Sequence, residues 1–189
     1  GAAYAGMSTL FVWANKLTTA ANSIFIQCAA PLWIMLLSPF VLRERPGLRD
    51  VVTMLIIGAG LAIFFLSPER PTVLSPRILQ GNILALLSGV CYAIAVMGLR
   101  ALRGGGAEAS VVAGNILVFG ICAVPQLAAG AGVPWGFMPG TGRDWVVLAA
   151  LGVFQIGLAY ILYARALPVL PAARASLIAL LEPVLNPLW

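Results

Sequence analysis

Long apolar stretches, separated by short polar or Gly/Pro-rich segments, run through the whole of this 189-residue chain. A helix needs about 20 mostly apolar residues to cross a bilayer. By this measure the pattern predicts seven membrane helices, near residues 1–17, 19–42, 51–66, 78–102, 109–131, 144–167 and 171–189. Thr18 or Thr19 is the expected N-cap of the second helix. We therefore expect an all-α fold, a polytopic membrane helix bundle.

Composition supports this class. Of the residues, 61% are hydrophobic and 9% are charged, whereas soluble domains carry about 25% charged residues. The net charge of +5 forms no basic run, so we expect a lipid bilayer and no nucleic acid as partner. The absence of histidine excludes His-based triads and zinc proteases. The cysteines stand singly in apolar stretches and are interpreted as core residues, so we expect neither a metal nor a cofactor.

The last apolar stretch carries two features that are costly in a bilayer. Glu182 is a carboxylate, and an acidic residue at the centre of a membrane helix costs about 2.5–3.5 kcal/mol on insertion scales. Pro183 follows it and has no N–H, so the carbonyl of Ala179 loses its helical partner. Both features need polar or protein-lined surroundings. They predict an internal site rather than a lipid-facing wall.

A second proline-interrupted stretch lies near the start of the chain. Pro31 falls on Pro183 when the sequence is shifted by 152 residues (183 − 31). Paired, interrupted apolar segments in two halves indicate a transporter binding site. The two stretches lie five spans apart, so they are predicted to run in opposite directions. The positive-inside bias places one end of the bundle in the cytoplasm, namely the end with Arg43, Arg45, Arg49, Arg100, Arg103, Arg165 and Arg174.

Several segments resemble a known family. Residues 167–184, with Pro-Ala-Ala-Arg-Ala-Ser and a closing Leu-Glu-Pro-Val, resemble the second repeat of EamA-type transporters of the drug/metabolite transporter superfamily. Residues 19–31, followed by Arg43-Glu44-Arg45, resemble the end of the first repeat, although the usual glycine before Glu44 is absent. Residues 81–97, which include Tyr92, resemble the opening helix of a second repeat. The resemblance covers nearly the whole chain.

This resemblance implies ten helices in two inverted five-helix repeats, of which the chain would be an internal fragment. Residues 1–68 would then be the C-terminal part of the first repeat, 69–77 a loop, and 78–189 a second repeat lacking its last helix. The implied function is secondary active transport of a small metabolite, amino acid or drug-like molecule by alternating access, not enzymatic catalysis, in a bacterial inner membrane. Proton coupling and homodimer formation stay open. The alternative is a non-transporting membrane scaffold or sensor.

The candidate pathway residues are polar or aromatic positions near the two prolines and on the helices predicted to face them. Each also has a structural interpretation, as a group that forms a hydrogen bond between helices or as a packing residue. Burial disfavours a charged carboxyl, so Glu182 is predicted to carry a proton or to meet a cationic substrate. The full set is Glu182, Gln27, Tyr92, Asn186, Gln155, Tyr160, Ser23 and Trp33, with Pro31 and Pro183 as helix breaks.

Overall fold

A computed structural model describes residues 1–43, 47–66, 77–102, 105–129, 141–167 and 169–179. All regular secondary structure in these ranges is helical. The helices are α1 (Ala2–Leu17), α2 (Ala20–Gln27), α3 (Ala30–Val41), α4 (Leu48–Leu66), α5 (Ile78–Ala101), α6 (Ala107–Ala129), α7 (Gly142–Ala150), α8 (Ala159–Ala166) and α9 (Ala172–Ala179), with a π-helical stretch, Leu151–Leu158, between α7 and α8. The second and sixth predicted helices are therefore interrupted, the second between α2 and α3 and the sixth by the π-helical stretch. The predicted all-α bundle is confirmed.

Three of the described helical stretches are long and apolar enough to cross a membrane. They are Ala20–Val41, Ile78–Ala101 and Gly142–Ala166, and Ala107–Cys122 is a shorter apolar helix. Large apolar side chains cover the outside of α6 and α7, among them Ile116 and Val146, which are more than half exposed. Such a surface suits lipid rather than water. The protein is an integral membrane protein, as its composition predicts.

Helix α5 packs against α1, α2, α3 and α9. It runs antiparallel to α1, because the Arg77 N–H donates to the Leu17 carbonyl (3.1 Å) while the Ser88 hydroxyl, further along α5, donates to the earlier Met7 carbonyl (3.0 Å). The face of α5 towards these helices is small, and Gly81, Ala85 and Ser88 on it are all buried. Small residues let helix backbones approach closely.

The arginine-rich end of the bundle is tied together by two contacts. Buried Arg100, near the end of α5, donates to the Leu167 carbonyl just after α8 (2.5 Å). Exposed Arg165 on α8 pairs with Glu108 at the start of α6 (2.9 Å). Leu42, just after α3, packs against the core cluster that contains Leu167 and Ala172, the first residue of α9. Helix α9 therefore begins at the end of the bundle where α3 finishes, and the two helices run in opposite directions, as the sequence predicts.

The second predicted helix is broken near its middle. Thr19 caps α2 by accepting from the Asn22 N–H (3.2 Å), which is one of the two predicted caps. The Ala29 N–H then bonds to the Ile26 carbonyl, three residues back (3.1 Å), so the last turn tightens before α3 begins. Pro31 leaves the Gln27 carbonyl without its helical donor.

The interactions of Arg100 and Arg165 at the arginine-rich end are expected to contribute very differently to the stability of the fold. We expect Arg100→Met to lower the free energy of unfolding by about 1.5–3 kcal/mol, because a buried hydrogen bond from a charged group is lost. We expect Arg165→Met to change it by less than about 1 kcal/mol, because an exposed ion pair contributes little. Denaturant unfolding of both variants in detergent measures the difference. Equal destabilisation by the two substitutions would contradict this account of Arg100.

Candidate functional site

A cavity of about 430 Å³ lies beside the break between α2 and α3, and its walls come from α1, α2, α3, α5, α8 and α9. Small-molecule sites have volumes of about 300–1,000 Å³. The break is near the middle of the Ala20–Val41 span, and the cavity residue Tyr92 is near the middle of α5. The cavity therefore lies close to the centre of the bilayer, at the depth where transporters bind their substrates.

The walls of the cavity are mostly apolar and carry a few polar groups. The apolar lining residues are Met7, Phe11, Val12, Ile24, Ala30 and Ala179, together with Pro31. The residues with a polar or sulfur atom are Ser8, Gln27, Cys28, Tyr92, Tyr160 and Ser176. None of the described lining residues is charged. An apolar pocket with a few placed polar groups is typical of a small-molecule site.

Gln27 is held against α5 by a short chain of hydrogen bonds. Its Nε2 donates to the Ser88 hydroxyl (2.7 Å), and that hydroxyl donates to the Met7 carbonyl on α1 (3.0 Å). Backbone contact accompanies these bonds, because a Cβ on Gly89 would lie 3.4 Å from the Gln27 carbonyl oxygen. The freed carbonyl of Gln27 therefore faces the α5 backbone at Gly89.

Tyr160 is oriented by a residue that the sequence did not suggest. Its ring packs edge-on against the ring of Tyr4, with centroids 5.0 Å apart and planes at 85°. The Tyr4 hydroxyl donates to Asn115 Oδ1 on α6 (3.3 Å), and Asn115 Nδ2 donates to the Val111 carbonyl (3.1 Å). Gly114 makes room, since a Cβ there would lie 2.6 Å from the Tyr4 ring. Tyr4 is therefore a positioning residue for one wall of the cavity.

The structure brings four of the predicted site residues to the cavity, namely Gln27, Pro31, Tyr92 and Tyr160. They come from three separate predicted helices. Ser176, which was not predicted, joins them from α9 and donates to the Ala173 carbonyl within its own helix (2.8 Å).

Three other predicted residues lie outside the cavity lining. Ser23 is fully buried and donates to the Thr19 carbonyl one turn back (3.2 Å). Trp33 packs against the core cluster that contains Ile34. Gln155 is exposed within the π-helical stretch. Its exposure is not a matter of one helix face, since no residue of α7 or of the π-helical stretch is buried.

The remaining predicted residues, Glu182, Pro183 and Asn186, lie outside the described residues. Their placement in the pathway stays a prediction. The described part of α9 ends at the lining residue Ala179, three positions before Glu182 in the sequence.

The fold and the cavity define a polytopic membrane protein with an internal site of small-molecule size. The chain matches the EamA-like transporter family over residues 2–66 and 79–189. It belongs to that family, whose members are membrane transporters of the drug/metabolite transporter type and not enzymes. The resemblance read from the sequence is thus confirmed. No curated protein and no solved structure shows significant similarity to this chain.

Proposed function

We propose that this protein is a secondary active transporter that moves a small metabolite, amino acid or drug-like molecule across a bacterial inner membrane by alternating access. The observation that carries the proposal is the 430 Å³ cavity beside the broken helix. In this proposal the cavity binds the substrate, and Glu182 couples transport to protons. Our proposal does not require a homodimer.

The composition of the walls supports this role. Gln27 and Pro31 belong to the first segment that matches the family, while Tyr92, Tyr160 and Ser176 belong to the second. A site lined by helices from both segments opens to one side or the other when some of those helices move relative to the rest. The helix break at Pro31 also lies where the helix lines the cavity. Non-helical backbone inside a membrane is tolerated where it is buried in protein or lines a cavity.

Filling the cavity is expected to stop transport. Ala179 lines the cavity, so Ala179→Trp places a bulky ring in the space that the substrate needs. The matched control is Ala149→Trp on α7, where the residue is exposed on the outside of the bundle. We expect flux into proteoliposomes of the full-length protein to fall to the protein-free level for the first variant and to persist for the second.

The assay uses a panel of radiolabelled metabolites, with and without a proton gradient. Flux that persists in folded Ala179→Trp would show that substrate does not pass through this cavity. A wild-type protein that moves no member of a broad panel would favour the scaffold or sensor alternative.

A further inference from the structure

We infer that the cavity selects apolar, aromatic molecules that carry an N–H or O–H donor. In this inference Gln27 is the residue that accepts the hydrogen bond from that donor. The inference rests on the proposed function, because it names the substrate class of the same site. It depends on the hydrogen-bond chain that joins Gln27 to Ser88 and Met7.

The number of protons available in this series of hydrogen bonds fixes the orientation of the Gln27 amide. A serine hydroxyl has a single proton to donate. Ser88 gives its proton to the Met7 carbonyl (3.0 Å), so it can only accept from Gln27. At 2.7 Å the group facing Ser88 must then be the amide NH₂. Ser88 is fully buried, so bulk water does not supply it with another donor.

The same orientation decides what Gln27 offers to the cavity. With its NH₂ group directed to Ser88, the other end of the amide is the carbonyl oxygen Oε1, which only accepts hydrogen bonds. Gln27 is half-buried and lines the cavity near the centre of the bilayer. A ligand that fills the cavity without a donor displaces water from this acceptor and leaves it unpaired, which costs binding.

The other walls determine the body of the ligand. Phe11, Tyr92 and Tyr160 contribute aromatic rings, and the described lining residues contribute no charge. Aromatic walls favour stacking or edge-to-face contact with a planar ligand. Together with one fixed acceptor, they favour an aromatic molecule that carries an N–H or O–H group.

The test compares indole with 1-methylindole, which has the same ring but no N–H. Because 1-methylindole is also larger by a methyl group, 3-methylindole is the control, since it has the added methyl and keeps the N–H. Binding to the full-length protein in nanodiscs is measured by calorimetry against empty nanodiscs, without any gradient. We expect indole and 3-methylindole to bind about tenfold more tightly than 1-methylindole, in line with one hydrogen bond of the usual net strength.

Variants assign the preference to Gln27. Gln27→Met removes the acceptor, so its affinities for 1-methylindole and 3-methylindole should become equal. Gln27→Glu retains an acceptor oxygen at this position, so it should keep the preference. Ser88→Ala leaves the amide free to turn, so the preference should shrink even if Gln27→Met does not fold.

Three results would overturn the inference. They are equal binding of indole and 1-methylindole by the wild type, binding of neither, and a preference that survives in both Gln27→Met and Ser88→Ala. These results differ from a failure of the proposed function, which is an absence of flux. Binding selectivity is measured at equilibrium, so a protein that binds selectively but moves nothing would still support the inference.

Discussion

Replacing Gly81 with alanine is expected to destabilise the bundle strongly. A Cβ at this position would lie 2.7 Å from both the backbone nitrogen and the Cβ of Thr18. A backbone atom cannot rotate away, so the end of α1 must shift. Overpacking of this kind costs about 1–3 kcal/mol.

The shift would also disturb buried hydrogen bonds. Thr18 donates to Asn82 Oδ1 (2.9 Å) and accepts from Asn22 Nδ2 (3.2 Å), and all three residues are buried. We therefore expect Gly81→Ala to lose more stability than the steric clash alone would remove, because unpaired buried polar groups add their own cost.

Gly98 on the same helix is the matched control for this prediction. A Cβ there would meet nothing within 4 Å. Alanine has a higher helix propensity than glycine, by up to about 1 kcal/mol, so Gly98→Ala should keep or raise stability. Thermal unfolding of both variants in detergent, followed by circular dichroism, measures the contrast. Equal melting temperatures would show that α1 and α5 do not pack through Gly81.

Replacing Glu182 with glutamine is expected to abolish proton-driven accumulation of substrate. Glutamine has nearly the same shape as glutamate but cannot release a proton. If Glu182 carries the coupled proton, Glu182→Gln should lose uptake against a substrate gradient and retain folding. Uptake into proteoliposomes with an imposed proton gradient measures this, and size-exclusion chromatography measures folding.

The control for this second prediction is Glu108→Gln. Glu108 is an exposed carboxylate, paired with Arg165 at the end of the bundle, so its neutralisation should leave accumulation unchanged. If Glu182→Gln instead impairs folding while transport persists, the carboxylate has a structural role. Accumulation that is intact in a well-folded Glu182→Gln protein would remove Glu182 from the coupling mechanism.

Features set by local chemistry could be predicted from the sequence. Thr19 caps α2 because a short hydroxyl side chain can reach the next free N–H. Pro31 marks a break because its ring removes a helical donor. The buried face of α5 from Gly81 to Ser88 follows from spacing of small residues along one α-helix. In each case the cause lies within a few residues of the effect.

Features set by distant partners could not be predicted. Tyr4 positions Tyr160 only because α1, α6 and α8 meet, and no spacing along the chain encodes that meeting. Gln155 was expected to line the pathway, but no residue of α7 or of the π-helical stretch is buried among the described helices. Which helices pack against a given stretch depends on the tertiary fold, and the spacing of polar residues along that stretch does not encode it.

The hydrogen bonds that hold α5 have a consequence for the proposed transport cycle. Thr18–Asn82, Gln27–Ser88 and Ser88–Met7 all join α5, from the second family-matched segment, to helices of the first. If the proposed cycle preserves these bonds, α1, α2 and α5 move together as one rigid body. The surface along which helices move past one another then differs from the boundary between the two family-matched segments.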